Sequence, residues 1–162
     1  MEQDQHTPHI LIAGLGNLLL QDDGVGIHAV RLLEQDAPPG VCVADIGAAV
    51  LDALHLFEWA DMILAIDAMK TGGAPGTIYR FSIGDVDPGG VPTSLHELSL
   101  IAALRFLPYI HTPHISILGV EPDTIDYGLE LTPAVQNALP HLVHAARDIV
   151  AGWQRYPVSQ PV

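Results

Sequence analysis

Strand-sized apolar runs alternate with amphipathic stretches along this chain, and turn residues separate them. Residues 9–13 (HILIA) form a continuous apolar run ending at Gly14, the pattern of a strand buried on both faces of a parallel sheet. Over residues 23–35, Val25, Ala29, Leu32 and Leu33 share one stripe. That spacing predicts a helix, with Asp22 or Asp23 as its cap and Ala37-Pro38-Pro39-Gly40 as its stop. Residues 41–46 (VCVADI) predict a second strand. Residues 49–59 predict a second helix, with Val50, Leu54 and Phe57 in phase. Residues 62–66 (MILAI) predict a third buried strand ending at Asp67, and 77–82 (TIYRFS) alternate like an edge strand. Residues 83–94, rich in Gly, Pro and Asp, predict a long surface loop. A helix over 95–107 and a strand over 114–120 (HISILGV) follow. Thr132-Pro133 opens a last helix to about Trp153, capped by Thr132 and kinked at Pro140. This order predicts one α/β domain, a mostly parallel sheet between two helix layers, with its core at about 9–152 and loose tails on either side.

Length and composition narrow the partners. A chain of 162 residues, 49% apolar and 15% charged, suits one globular domain with a sizeable core. Its single cysteine, Cys42, excludes an internal disulfide and reads as a small buried hydrophobe. The formal net charge of −13 repels nucleic acid and anionic membrane, and favours a metal ion or a basic protein segment. No run reaches the ~20 apolar residues of a membrane span, and residues 1–8 lack the basic start of a signal peptide, so the expected compartment is the cytoplasm.

In open α/β sheets ligands bind beyond the carboxyl ends of the strands. Asn17, Asp45, Asp67 and Glu121 follow or close predicted strands and are expected on one rim. Gly14-x-Gly16 is a poor dinucleotide signal: position 19 is Leu19, and Asp22-Asp23 puts two negative charges where a phosphate would sit. One acid suffices to cap the helix, which leaves the other to face the cleft. Asp67 reads either as a solvated strand end or as a carboxylate in need of a cation or donors, because apolar residues flank it on both sides. Of nine histidines, His96 is the distinctive one. It falls in the first turn of a predicted helix, where the dipole disfavours imidazolium and keeps the ring able to ligate metal. His141 and His144, three apart on the last helix, read as a solvated pair. His96-Glu97 is not a zincin motif, since position 100 is Leu100. Asp23, Asp67 and His96 make a set suited to a borderline divalent metal with coordination positions to spare.

The segment GLGNLLLQDDGVG, from Gly14 to Gly26, resembles the opening motif of the hydrogenase maturation proteases. Ile66-Asp67-Ala68, Ala74-Pro75-Gly76-Thr77, Ser94-Leu95-His96-Glu97-Leu98, Gly119-Val120-Glu121-Pro122 and Gly128-Leu129-Glu130-Leu131-Thr132-Pro133 are similar to further blocks of that family, in order, from His9 to about Gly152. The resemblance implies a three-layer α/β/α domain with a twisted sheet of about five strands. It implies one endoproteolytic cut that removes a C-terminal extension from a nickel-iron hydrogenase large-subunit precursor after nickel insertion. Nickel is then the recognition element, supplied by the substrate, and other divalent metals are expected to fit the same site. The family's metal positions fall on Asp23, Asp67 and His96; some relatives carry Glu at the position of Asp23. The family's frequent Asp-x-Gly-Thr is here Asp45-Ile46-Gly47-Ala48, without the hydroxyl. Asn17, Asp45 and Glu121 are the expected supporting or substrate-contact residues. Two rivals stand beside the peptidase: a nickel-binding docking or chaperone module that checks metal loading without cutting, and a general metallopeptidase with its own metal.

Overall fold

The computed structural model describes residues 7–82 and 113–156. Five strands make one sheet: β1 (Ile10–Leu15), β2 (Val41–Gly47), β3 (Met62–Ala68), β4 (Ile78–Ser82) and β5 (His114–Val120). Their order is β2-β1-β3-β5-β4. All neighbours are parallel except β4, which closes the β5 edge antiparallel. Helices α1 (Val25–Glu34), α2 (Leu54–Trp59) and α3 (Pro133–Arg155) cover it.

Two faces follow from the period of two along each strand. Ile10, Ile12, Leu64, Ile66, Leu118 and Val120 pack against Val30 and Leu33 of α1 and Leu139, Leu142 and Trp153 of α3. Leu11, Ala13, Ile63, Ala65 and Ile117 pack on the other face with Val50, Ala53 and Phe57. Both sides of β1 and β3 are buried, which is why these strands read as unbroken apolar runs rather than alternating ones. The expected α/β/α layering with a mostly parallel five-stranded sheet is the architecture observed.

Several local expectations shift. β3 runs on through Asp67 to Ala68, so Asp67 lies inside the strand, in register with Gly119. The first helix begins at Val25, after a separate 3-10 turn (Gln21–Gly24), and neither aspartate caps it: Gly24 holds the cap position without a side-chain bond. The second predicted helix divides into a 3-10 turn (Val50–Ala53) and the short α2. Thr132 stands at the cap position of α3 but makes no capping bond, and α3 continues through Pro140. Cys42 is half-buried against the second face, where burial pushes its thiol pKa up. The loop expected over 83–94 and the helix over 95–107 lie outside the described residues, as do the two tail ends. Among the described residues no helix is long and apolar enough to cross a membrane.

Candidate functional site

The carboxyl ends of β1 and β3 are neighbours in register, Gly14 opposite Ile66. The chain leaving β1 must turn back at once to start α1, and close backbone contacts hold that turn. Gly16 has φ +127°, and a Cβ there would strike the carbonyl of Asp23. Gly26 sits against the carbonyls of Ile66 and Leu15, so the start of α1 rests directly on the strand that carries Asp67. These glycines therefore serve self-packing of the chain. Gln21, just before the acidic pair, has φ +48°, a left-handed conformation unusual for a residue with a side chain.

Asp23 is 8% exposed, and its Oδ2 accepts the Asn17 N–H at 3.0 Å. Asp67 is 2% exposed, and its Oδ1 accepts the Ala68 N–H at 2.8 Å. By strand alternation Asp67 points to the face of Ile63 and Ala65. The turn bearing Asp23 packs against β3. Both expected acids thus reach one rim from separate segments, and the expectation that Asp67 sits where water is scarce holds. His96 lies outside the described residues. No cluster of three or more His, Cys, Asp or Glu able to hold a metal occurs among the described residues.

The expected supporting residues take specific local roles. Asn17 binds Asp23 through its backbone, and its side-chain Oδ1 accepts the Leu19 N–H at 3.0 Å to fold the loop. Asp45, opposite Gly14 in register, faces Arg31 of α1 at 3.5 Å and is partly exposed. Glu121 is buried and accepts four hydrogen bonds: from Thr71 N–H (2.9 Å), Thr71 Oγ1 (2.8 Å), Gly72 N–H (3.3 Å) and Tyr79 hydroxyl (3.1 Å). Burial pushes its pKa up, but the bonds from Thr71, Tyr79 and Gly72 outweigh burial and hold it below the ordinary 4.5.

Sequence reasoning missed the work of Asp22. It is fully buried; its Oδ2 accepts the N–H of Asp123 (2.9 Å), the N–H of Thr124 (3.0 Å) and the Thr132 hydroxyl (2.7 Å), and its Oδ1 accepts the Thr132 N–H (2.8 Å). The Thr132 hydroxyl is spent on Asp22, which explains why it does not cap α3. The one sequence signal available was the second acid itself, since its partners lie more than a hundred residues away.

This is a three-layer α/β/α protein with four buried acids, Asp22, Asp23, Asp67 and Glu121, on the carboxyl rim of its sheet, where proteins of this class bind their ligands. The model of the hydrogenase maturation protease family matches residues 27–149, which includes Asp67 and His96 and begins after Asp23. The hydrogenase expression/formation protein HoxM of Azotobacter vinelandii is 32% identical over 160 residues, covering 90% of this chain and 76% of that protein. Among solved structures, the hydrogenase maturating endopeptidase HybD from E. coli superposes with a TM-score of 0.76 at 26% identity, covering 92% of this chain and 94% of that one. The [NiFe] hydrogenase maturation protease HybD from Thermococcus kodakarensis gives 0.75 at 26% identity, covering 87% and 98%. The chain belongs to the hydrogenase maturation protease family and is a peptidase.

Proposed function

We propose that this peptidase makes a single cut that removes the C-terminal extension of a nickel-iron hydrogenase large-subunit precursor, after nickel insertion, in the cytoplasm. The precursor's nickel is read by Asp23, Asp67 and His96. The observation that carries the reading is the arrival of Asp23 and Asp67 at one rim, from separate segments, in a chain of this family. Two carboxylate oxygens and an imidazole nitrogen suit a borderline divalent ion, and nickel on the substrate would polarise the scissile carbonyl.

The chain's own acids supply the proton chemistry. Attack of water on the carbonyl carbon requires a base within hydrogen-bond reach, and one of Asp23 and Asp67 takes that proton in this reading. As the C–N bond breaks, the same proton returns to the leaving amine. The Asn17 N–H holds one oxygen of Asp23, and the Ala68 N–H one oxygen of Asp67, which fixes the direction of both groups.

The test is incubation with precursor loaded with nickel and with nickel-free precursor, read by mass spectrometry. Loss of C-terminal mass from the nickel-loaded form alone is the expected result. Tight binding with unchanged mass would make the chain a docking or chaperone module instead. Cleavage of nickel-free precursor or unrelated peptides would point to a peptidase with a metal of its own.

A further inference from the structure

Two loops at the carboxyl rim are fastened into one platform beside Asp23. The Gln21 N–H donates to the Gly128 carbonyl at 2.9 Å, and the Gly128 N–H donates to the Leu19 carbonyl at 2.9 Å. Leu20 and Gly128 form a parallel bridge. The Asp22 backbone N–H donates to the Thr124 carbonyl at 3.3 Å, and its carboxylate holds residues 123, 124 and 132 as described above.

This platform is apolar on its outer side. Leu19 is 59% exposed, Ile125 38%, Tyr127 87% and Leu129 62%. Of the eight large exposed apolar side chains among the described residues, these four fall in two short, hydrogen-bonded loops. Scattered apolar side chains are ordinary on a surface, but a cluster this dense marks a contact. The bridge explains the grouping: pairing Leu20 with Gly128 brings the chain at Leu19 beside the chain at Tyr127 and Leu129.

Charge identifies the occupant. Asp123, Asp126 and Glu130 are exposed along the same loop, and neither 15–24 nor 121–132 contains Lys or Arg. We propose that Leu19, Ile125, Tyr127 and Leu129, with the acids around them, dock a polypeptide segment of apolar side chains flanked by Lys or Arg. That segment belongs to the hydrogenase precursor and lies near its scissile bond; this assignment rests on the peptidase reading above. The loop ending in Gln21 runs directly into the turn of Asp22 and Asp23, so a segment seated on the platform is delivered to the acids. Tyr127 is the expected anchor, since aromatic side chains dominate binding energy at such surfaces.

Two variants test it against nickel-loaded precursor: the triple Leu19→Ala, Tyr127→Ala, Leu129→Ala and the triple Asp123→Asn, Asp126→Asn, Glu130→Gln. The apolar triple is expected to raise KM about tenfold or more with kcat held. The acid triple is expected to raise KM several-fold and to flatten its dependence on salt. If either triple lowers the melting temperature, the single Tyr127→Ser, at the most exposed position, carries the same test through KM alone. Unchanged KM in a wild-type-active background overturns the docking surface and leaves the peptidase reading standing. Absence of cleavage by the wild type overturns both. If the apolar triple instead dissolves a homodimer in sedimentation equilibrium while KM stays constant, the occupant is a second copy and the proposal is wrong.

Discussion

Adjacent acids at this rim do different work. Asp22 and Glu121 each accept four hydrogen bonds, and they fasten loops that are remote in sequence: Asp22 holds 123–132, and Glu121 holds 71–79. Asp23 and Asp67 are oriented by near neighbours, Asn17 and Ala68, and stand at the meeting of β1, β3 and α1. The first pair builds the rim; the second is proposed to do its chemistry. Burial does not separate them, because all four are below 9% exposure. What distinguishes Asp22 and Glu121 is that each ties a loop remote in sequence to the rim through four hydrogen bonds.

The largest losses are expected at the proposed catalytic acids. Asp67→Asn and Asp23→Asn are each expected to lower precursor cleavage by about a hundredfold or more, the scale of losing a positioned acid or base. Both should melt within a few degrees of the wild type. His96→Ala is expected to lose cleavage as well. Full activity in any of the three would remove that residue from the site.

Asp22→Ala should show the opposite signature. It strands the N–H groups of Asp123, Thr124 and Thr132 and the Thr132 hydroxyl, four donors formerly joined to one buried carboxylate. Breaking such a network costs about 2–5 kcal/mol. In a domain of this size that is a fall in melting temperature of about 5–15 °C. Thermal unfolding measures it directly. A variant as stable as the wild type would mean that the 123–132 loop is held by something else.

Sequence alone revealed the layers, the sheet and the rim, because burial leaves a mark at each position: unbroken apolar runs for β1 and β3, and a stripe of Val25, Ala29 and Leu33 for α1, although Leu32, expected on that stripe, is exposed. Residues 114–120 were legible as β5 to the residue. The division of labour among the acids was not legible. Asp22-Asp23 looks like a helix cap from its neighbours, whereas the partners of Asp22 lie across the fold and leave no local pattern. Glu121 read as a supporting or substrate-contact residue with no partners named, because Thr71, Gly72 and Tyr79 lie 42 to 50 residues away in sequence. The resemblance to a family, rather than periodicity, carried the step from rim acids to peptidase.

Glu121 also makes the rim sensitive to acid. Its folded pKa lies below 4.5, so as pH falls the unfolded chain takes up the proton first. Its contribution to stability is therefore complete above 4.5 and is lost as pH falls through the lower, folded value. Glu121→Gln should be less stable near neutrality and lose less on acidification below pH 4.5, by melting temperature against pH. Tyr79→Phe, which removes one of the four donors, should cost about 1 kcal/mol. An unchanged acid limb in Glu121→Gln would show that the 71–79 clasp is not what acid dissolves first.

The smallest effect comes from His28 of α1, beneath the platform. Burial lowers its pKa from 6.5, against the raising effect of its hydrogen bond with the Leu129 backbone, and Arg31 lowers it further. Among the described residues its Nε2 is buried without a hydrogen-bond partner, so protonation would place an N–H where none of them accepts it. Because the folded pKa lies below the unfolded one, the unfolded chain gains the proton first as pH falls. Stability therefore declines below pH 6.5 and levels off once the folded value is passed. His114, lowered by burial and by Arg80, adds a decline of the same sign at the far end of β5. His28→Gln should shrink the slope of melting temperature as pH falls below 6.5 without abolishing it, and a further His114→Gln should shrink it again. The decline from the imidazoles begins at pH 6.5 and that from Glu121 only at 4.5, so the two set in at different points of one pH series. An unaltered slope in His28→Gln would show that the ring gains a partner when protonated, and would place the loop of Leu129 further from α1 than its hydrogen bond implies.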